Sequence, residues 1–231
     1  MCSPEMVTQI ALTALGAFLG AALSLLITVA IEHQKKPKLR LTIESPPLVR
    51  SNPAGAPAND STFLRMVVTN RRTSWPLRWL VRSAAYQCTG NIQFHYLGDG
   101  ALLFQRAMPI RWANSDEPFT PQLQLGQVVE IFDPVKYNAA FRRDCFPQTP
   151  ELVDVVARHD QDQDCYGWCN ESYIKGWRNP DFCLPPGRYL VRVTIMFSGD
   201  TTSEIFKLEN SLTRSDFRLL PATDEDKDKL K

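Results

Sequence analysis

The sequence predicts a mainly β protein, an antiparallel β-sandwich of two sheets behind one N-terminal transmembrane helix. Three observations predict it. Residues 6–31 form an unbroken run of 26 uncharged residues. Nine short segments beyond that run alternate apolar and polar side chains, the period of two that marks a half-buried strand. No long segment there repeats at 3.6 residues, and 17 prolines suit turn-rich β structure.

The helix comes first. At about 1.5 Å per residue the run would reach about 39 Å, more than the roughly 30 Å hydrocarbon core of a bilayer. A cleaved signal peptide needs a basic leading segment and a shorter apolar core, whereas the only charge upstream is Glu5. Lys and Arg are retained on the cytoplasmic side of a span. Lys35, Lys36, Lys38 and Arg40 follow the run and none precedes it, so the short N-terminus is expected outside the cell membrane and the C-terminal domain in the cytoplasm. The same basic cluster suits anionic lipid headgroups of the bilayer. Gly16, Gly20, Ser24 and Thr28 recur every four residues, and Gly16 with Gly20 makes a GxxxG. Such a stripe lets two backbones approach, with another copy or another subunit's helix as partner, although small residues are also common in spans for their own sake.

Alternation then begins with Leu39, Leu41 and Ile43. Residues 45–61 read as a loop, because Pro46, Pro47, Pro53 and Pro57 cannot sustain a ladder. Further strands are expected at 63–70 and 91–96, with a Gly98-Asp99-Gly100 turn leading to a hairpin partner over 101–108. Others fall at 127–132, 151–157, 189–198, 203–208 and 216–220. The resulting plan is a flank over 1–5, a membrane helix over 6–31, a basic juxtamembrane linker over 32–37, a β-sandwich over 38–220 and a charged flexible tail over 221–231.

Within Leu184-Pro185-Pro186-Gly187-Arg188-Tyr189-Leu190-Val191-Arg192-Val193 a Pro-Gly turn feeds a strand that begins with Tyr. This resembles the corner of immunoglobulin-like and fibronectin-type modules, where the tyrosine hydroxyl ties down the preceding connection. An ordinary half-buried strand aromatic is the plainer alternative. Leu64-Arg65-Met66-Val67-Val68-Thr69-Asn70 with Ala84-Ala85-Tyr86-Gln87-Cys88-Thr89-Gly90-Asn91-Ile92-Gln93-Phe94 is similar to paired strands of prokaryotic immunoglobulin-like, adhesion-related modules. Taken together with Arg111-Trp112-Ala113-Asn114-Ser115-Asp116-Glu117-Pro118, Tyr166-Gly167-Trp168 and Asn170-Glu171-Ser172-Tyr173, it resembles uncharacterised membrane-anchored proteins of bacteria and archaea. The resemblance covers 64–219. It implies an immunoglobulin-like sandwich and brings no activity with it.

Signs of chemistry are few. With 26 basic and 25 acidic residues the net charge is +1, which gives no field to draw nucleic acid. Asp160, Asp162 and Asp164 alternate, and Glu171 falls at the twelfth position counted from Asp160, the oxygen-ligand spacing of a calcium loop. Cys165 stands where that loop needs glycine, so a solvated acidic connection competes with a divalent-cation site. Cys165-x3-Cys169 lacks the spacing of common zinc knuckles. Free thiols are expected in the cytoplasm, whereas export would favour Cys165 with Cys169 or Cys145 with Cys183 as disulfides. The sequence has no GxSxG, GxxxxGK or HExxH. A nucleophilic pair of Cys145 or Cys165 with His159 is the weakest of these candidates.

Aromatics offer more. Trp75, Trp79, Trp112, Trp168 and Trp177 fall in expected loops or strand ends, where binding residues concentrate. Trp168, Tyr166, Tyr173 and Trp177 form the densest group, inside a stretch over 158–182 with no legible secondary structure, and Trp112 joins them as a candidate. Their alternative role is to cap the core. The expected function is a non-catalytic binding or assembly module, an accessory subunit of a membrane-associated complex, with no cofactor and no nucleic acid. Its rival is a calcium- or zinc-dependent domain or enzyme centred on 158–183. Replacing Gly16 and Gly20 with Leu is expected to weaken self-association in a membrane reporter assay, and unchanged association would remove the stripe as a contact.

Overall fold

A computed structural model describes residues 4–50, 60–75, 77–124 and 127–230. Helix α1 (Pro4–Lys35) is followed by strands β1 (Leu39–Ile43), β2 (Leu48–Arg50), β3 (Ser61–Asn70) and β4 (Ala85–Tyr96). Next come β5 (Met108–Pro109), β6 (Arg111–Trp112), β7 (Phe119–Gln124), β8 (Gln127–Phe132), helix α2 (Pro134–Ala139) and β9 (Arg143–Cys145). The chain continues through β10 (Glu151–His159), β11 (Cys165–Gly167), helix α3 (Asn170–Ile174) and β12 (Cys183–Leu184). It closes with β13 (Gly187–Phe197), β14 (Asp200–Asn210), β15 (Arg218–Pro221) and helix α4 (Asp224–Asp228).

The stretch Leu12–Lys35 of α1 is long and apolar enough to cross a membrane, and none of its most apolar window is buried inside the protein. Gly16 and Gly20 have nothing within 4 Å of an added Cβ, so the small-residue stripe meets no other part of the chain. Thr28 turns its hydroxyl back onto the Ser24 carbonyl at 2.9 Å, the usual way a helix satisfies a hydroxyl without water. The helix runs through the expected linker to Lys35.

Two antiparallel sheets follow. One has the order β1-β3-β10-β11-β12, with β2 on β3 and β6 on β10. The other runs β15-β14-β13-β4-β5, with β9 on β4. Alternation explains their packing. Leu64, Met66 and Val68 of β3 and Val153 of β10 point inward to meet Ile92, Phe94, Val191 and Val193 of the facing sheet in one buried core. Gly90 of β4 is required there, because a Cβ would lie 2.2 Å from the Thr194 carbonyl oxygen. The β13–β14 hairpin closes through Ser198 and Gly199, both at positive φ, a two-residue turn whose twist matches the strands.

Tyr189 is buried, and its hydroxyl donates to the Pro185 carbonyl at 2.8 Å. The hydroxyl therefore ties down the connection that feeds β13.

Several expectations change. The partner expected over 101–108 is bonded to β4 only near its ends: Tyr96 N–H donates to Ala101 O, Leu103 N–H donates to Phe94 O, and Met108 pairs with Ile92. Between them the chain leaves the sheet, and Phe104 packs edge-on against Phe94 and Phe182. The expected loop over 45–61 contains β2, and its residues 51–59 lie outside the described residues. The described residues of the tail carry helix α4. Thr223 caps α4 by accepting from Asp226 N–H at 3.2 Å, Lys227 pairs with Glu204 at 2.9 Å, and Lys229 donates to Leu97 O at 3.1 Å.

Candidate binding face

Strands β3 and β10 are buried on both sides, which simple alternation does not predict. Their outer side chains include Phe63 and Ala157, which lie under a second layer that contributes Trp168, Tyr173 and Phe119, and Arg65 and Asp154, which meet Arg111 below it. In it Phe63, Ala157, Trp168 and Tyr173 form a small core of their own, with Phe119 and Leu48 packed against it. Rings touch in series. Phe63 meets Trp168 edge-on at 5.0 Å between centroids, Trp168 meets Tyr173 at 5.5 Å, and Tyr173 meets Phe119 at 6.1 Å. The series continues through Phe132, Tyr137 and Phe141. Edge-to-face contacts of this kind add about 0.5–1.5 kcal/mol each beyond the area they bury.

Beneath the rings lies a buried charge cluster. Asp154 accepts from Arg65 Nε at 2.7 Å and from Arg111 Nη1 at 3.2 Å. Arg111 also donates to the carbonyls of Ser115 and Asp116, and its guanidinium lies 5.1 Å from the Tyr173 ring centroid. One carboxylate thus fixes both strands to the segment that leads into the second layer. The bulge between Asp154 and Val156 in β10 lets Val155 and Val156 both stay buried beside it.

Of the five candidate aromatics Trp168, Tyr173 and Trp177 touch one another, at 5.5, 6.0 and 6.1 Å between ring centroids, whereas Trp112 and Tyr166 lie apart from them. Trp112 belongs to the core between the sheets, where its Nε1 donates to Cys88 O at 3.2 Å. Trp168 and Tyr173 are buried in the second layer. The reading of these three as exposed binding aromatics is corrected: a flat ring next to an apolar sheet gains more by burial than by display. Tyr166 is half-buried on β11, 6.2 Å from the His159 ring. Trp177 keeps 43% of its surface exposed and sits at φ 71° beside Gly176, a left-handed backbone that is rare for a bulky residue. The stretch over 158–182 is not irregular either, since it holds β11 and α3.

The acidic loop does not assemble. Glu171 is taken by Arg106, with contacts of 2.8 and 2.6 Å that hold its carboxyl below the usual range. Asp162 pairs with Arg178 at 2.6 Å, and Asp164 accepts from the Cys183 thiol at 3.5 Å. The Asp160 N–H donates to Asp60 O, and Cys165 lies in a strand where the calcium loop needs its turn. Among the described residues no three His, Cys, Asp or Glu side chains are gathered to hold a metal. Arg106 and Arg178 thus take two of the four carboxylates, Glu171 and Asp162.

The described cysteines are thiols. Cys88, Cys145, Cys165, Cys169 and Cys183 are all free. Burial pushes Cys169 and Cys183 up to about 11. Cys145 lies beside Cys88, and this contact together with burial raises its thiol well above the ordinary range. His159 Nδ1 lies 2.7 Å from Ser61 Oγ, and among the described residues no thiol is hydrogen-bonded to its ring.

One exposed apolar surface lies on a feature whose partner strand the sequence hid. Strands β7 and β8 form a two-stranded ribbon in register from Phe119 with Phe132 to Gln124 with Gln127. At its base Phe119 and Phe132 join the ring series. At its far end Leu123 and Val128 pair across the strands on that same face, 75% and 71% exposed. Alternation in 127–132 identified β8, but Pro121 and the glutamines of β7 masked its mate. Comparison with family models, with curated proteins and with solved structures finds no match for this chain.

The second layer should depend on its buried carboxylate. Asp154→Ala leaves two buried guanidiniums uncompensated and is expected to cost about 3–5 kcal/mol in denaturant unfolding of the full chain. Trp168→Ala is expected to cost a similar ~3–5 kcal/mol, whereas Leu123→Ser at the ribbon end should stay within about 0.5 kcal/mol. Equal effects from all three would show that the ribbon and the second layer are not energetically separate.

Proposed function

We propose that this chain is a single-pass membrane protein whose β domain is a non-catalytic binding or assembly module, an accessory part of a membrane-associated complex. In this reading α1 crosses the bilayer and the sandwich, of immunoglobulin-like type, faces the cytoplasm. The basic residues on one flank alone support that orientation. The stripe of Gly16, Gly20, Ser24 and Thr28 then meets a partner helix, its own copy or another subunit's.

One observation carries the binding role. Among the described residues the β7–β8 ribbon pairs with no other strand; at its base Phe119 O accepts from Lys136 Nζ at 3.0 Å, and beyond that its outer edge is open to a further strand, while it presents Leu123, Val128 and Val129 to solvent. Soluble domains blunt such edges, while peptide-binding domains use them to add a strand from a partner. The packed base keeps the ribbon in place without covering its end.

A photocrosslinking residue at Val129 in native membranes is expected to give one dominant adduct, lost in Leu123→Ser/Val128→Ser and not produced by the same probe at Thr201 on the other sheet. The adduct mass separates a second copy of this chain from a different protein. No adduct from Val129, or the same pattern from Thr201, would overturn the reading. For orientation, T201C is expected to react with a membrane-impermeant thiol reagent only after lysis. Reaction in intact cells would put the sandwich outside.

A further inference from the structure

We infer that the described residues of the loop over 71–83, residues 71–75 and 77–83, form a second membrane contact, seated among the headgroups of the bilayer that α1 enters. The inference rests on the reading that α1 crosses that bilayer. Its sequence, Arg-Arg-Thr-Ser-Trp-Pro-Leu-Arg-Trp-Leu-Val-Arg-Ser, holds four arginines, two tryptophans and no acidic residue.

Position is the first argument. Both ends of the loop are bonded to the end of α1 and the residues just after it. The Arg71 N–H donates to Lys38 O at 2.9 Å, and the Ser83 N–H donates to Lys35 O at 2.7 Å. The buried Arg82 donates to Gln34 O at 2.7 Å and to Lys36 O at 2.9 Å. A plane of headgroups at the last turn of the helix therefore passes through both ends of the loop.

Order is the second argument. Thr73 Oγ1 lies 2.7 Å from each of the Leu77 and Leu80 carbonyl oxygens, between which its one proton is shared, and the Leu80 side chain is buried. The loop is held in shape while its apolar side chains turn outward. Trp75 is 80% exposed, Trp79 70% and Val81 64%. The remaining tryptophans are far less exposed, with Trp112 and Trp168 buried. In water this display is unfavourable; at a membrane surface it is the usual placement, because the indole buries its rings and keeps its N–H wet.

Charge is the third argument. Arg71, Arg72 and Arg78 are exposed, and among the described residues none pairs with a carboxylate; Arg72 donates to Gln148 at 2.7 Å. Lys36 and Arg40 continue the same basic zone, and no acidic residue occurs between Glu32 and Glu44. A basic, tryptophan-bearing surface tied to a membrane helix fits anionic lipid.

The test reconstitutes the full chain into phosphatidylcholine vesicles, with and without phosphatidylglycerol, in which the phosphatidylcholine is brominated near the headgroup end of its acyl chains. Helix α1 contains no tryptophan, so indole emission reports the folded domain alone. Flotation after an alkaline wash first reads α1 by itself. Protein that does not stay with the vesicles removes the anchor reading and this inference with it. Protein that stays is expected to be quenched by the brominated lipid, and Trp75→Phe/Trp79→Phe is expected to lose most of that quenching while keeping the emission of Trp112, Trp168 and Trp177. Phosphatidylglycerol is expected to deepen the quenching, and Arg71→Gln/Arg72→Gln/Arg78→Gln to abolish that increment. Floated wild-type protein that is not quenched, or quenching unchanged in the double Phe variant, overturns the contact. Quenching indifferent to phosphatidylglycerol overturns the part given to the arginines.

Discussion

The last carbonyls of α1 have no partners further along the helix, and Arg82 supplies them from another part of the chain. A cation at this end also opposes the negative pole of the helix. The contact leaves no free linker between helix and domain. Asn70 reinforces it: its Oδ1 accepts from the Lys38 N–H at 3.2 Å while its Nδ2 donates to Ser83 O at 2.8 Å. Strand β1 therefore starts in register with the end of β3, Leu39 opposite Asn70, directly where the helix stops. The placement of both sheets and of the tryptophan loop follows from this junction.

Away from the junction the first sheet carries two kinds of core. Its inner face packs against the second sheet chiefly by apolar burial, the ordinary driving force of a sandwich, with Trp112 Nε1 donating across to Cys88 O. Its outer face buries a carboxylate between two arginines, which is costly to desolvate and tolerable only because Asp154 receives both guanidiniums and Arg111 finds further carbonyls. Such a cluster specifies an arrangement more than it adds stability. Here it aligns the segment from Arg111 to Asp116, and through it the ring series from which the β7–β8 ribbon projects.

That division explains where sequence reading succeeded. Strands with one apolar and one polar face, such as β13 and β14, were legible from alternation, and a positive-φ Ser-Gly turn joins them. Two-residue strands such as β5, β6 and β12 carry too few side chains to show a period. The aromatics were found but misplaced, because a tryptophan in a loop looks alike whether the loop folds onto a sheet or faces water. Asp160, Asp162, Asp164 and Glu171 had ligand spacing, yet Arg106 and Arg178, distant or unremarkable in sequence, claim two of them.

By itself the sequence determined what depends on local order: an apolar helix long enough for a bilayer, a basic flank on one side of it, and a run of alternating strands. Hydropathy and periodicity are properties of neighbouring residues, so they survive without knowledge of the fold. The tertiary structure decided which charges pair, which aromatics are covered, and that residues 71–83 return to the end of α1. Those outcomes depend on contacts between segments tens of residues apart, where burial and hydrogen bonding, rather than residue type, set the role of each side chain.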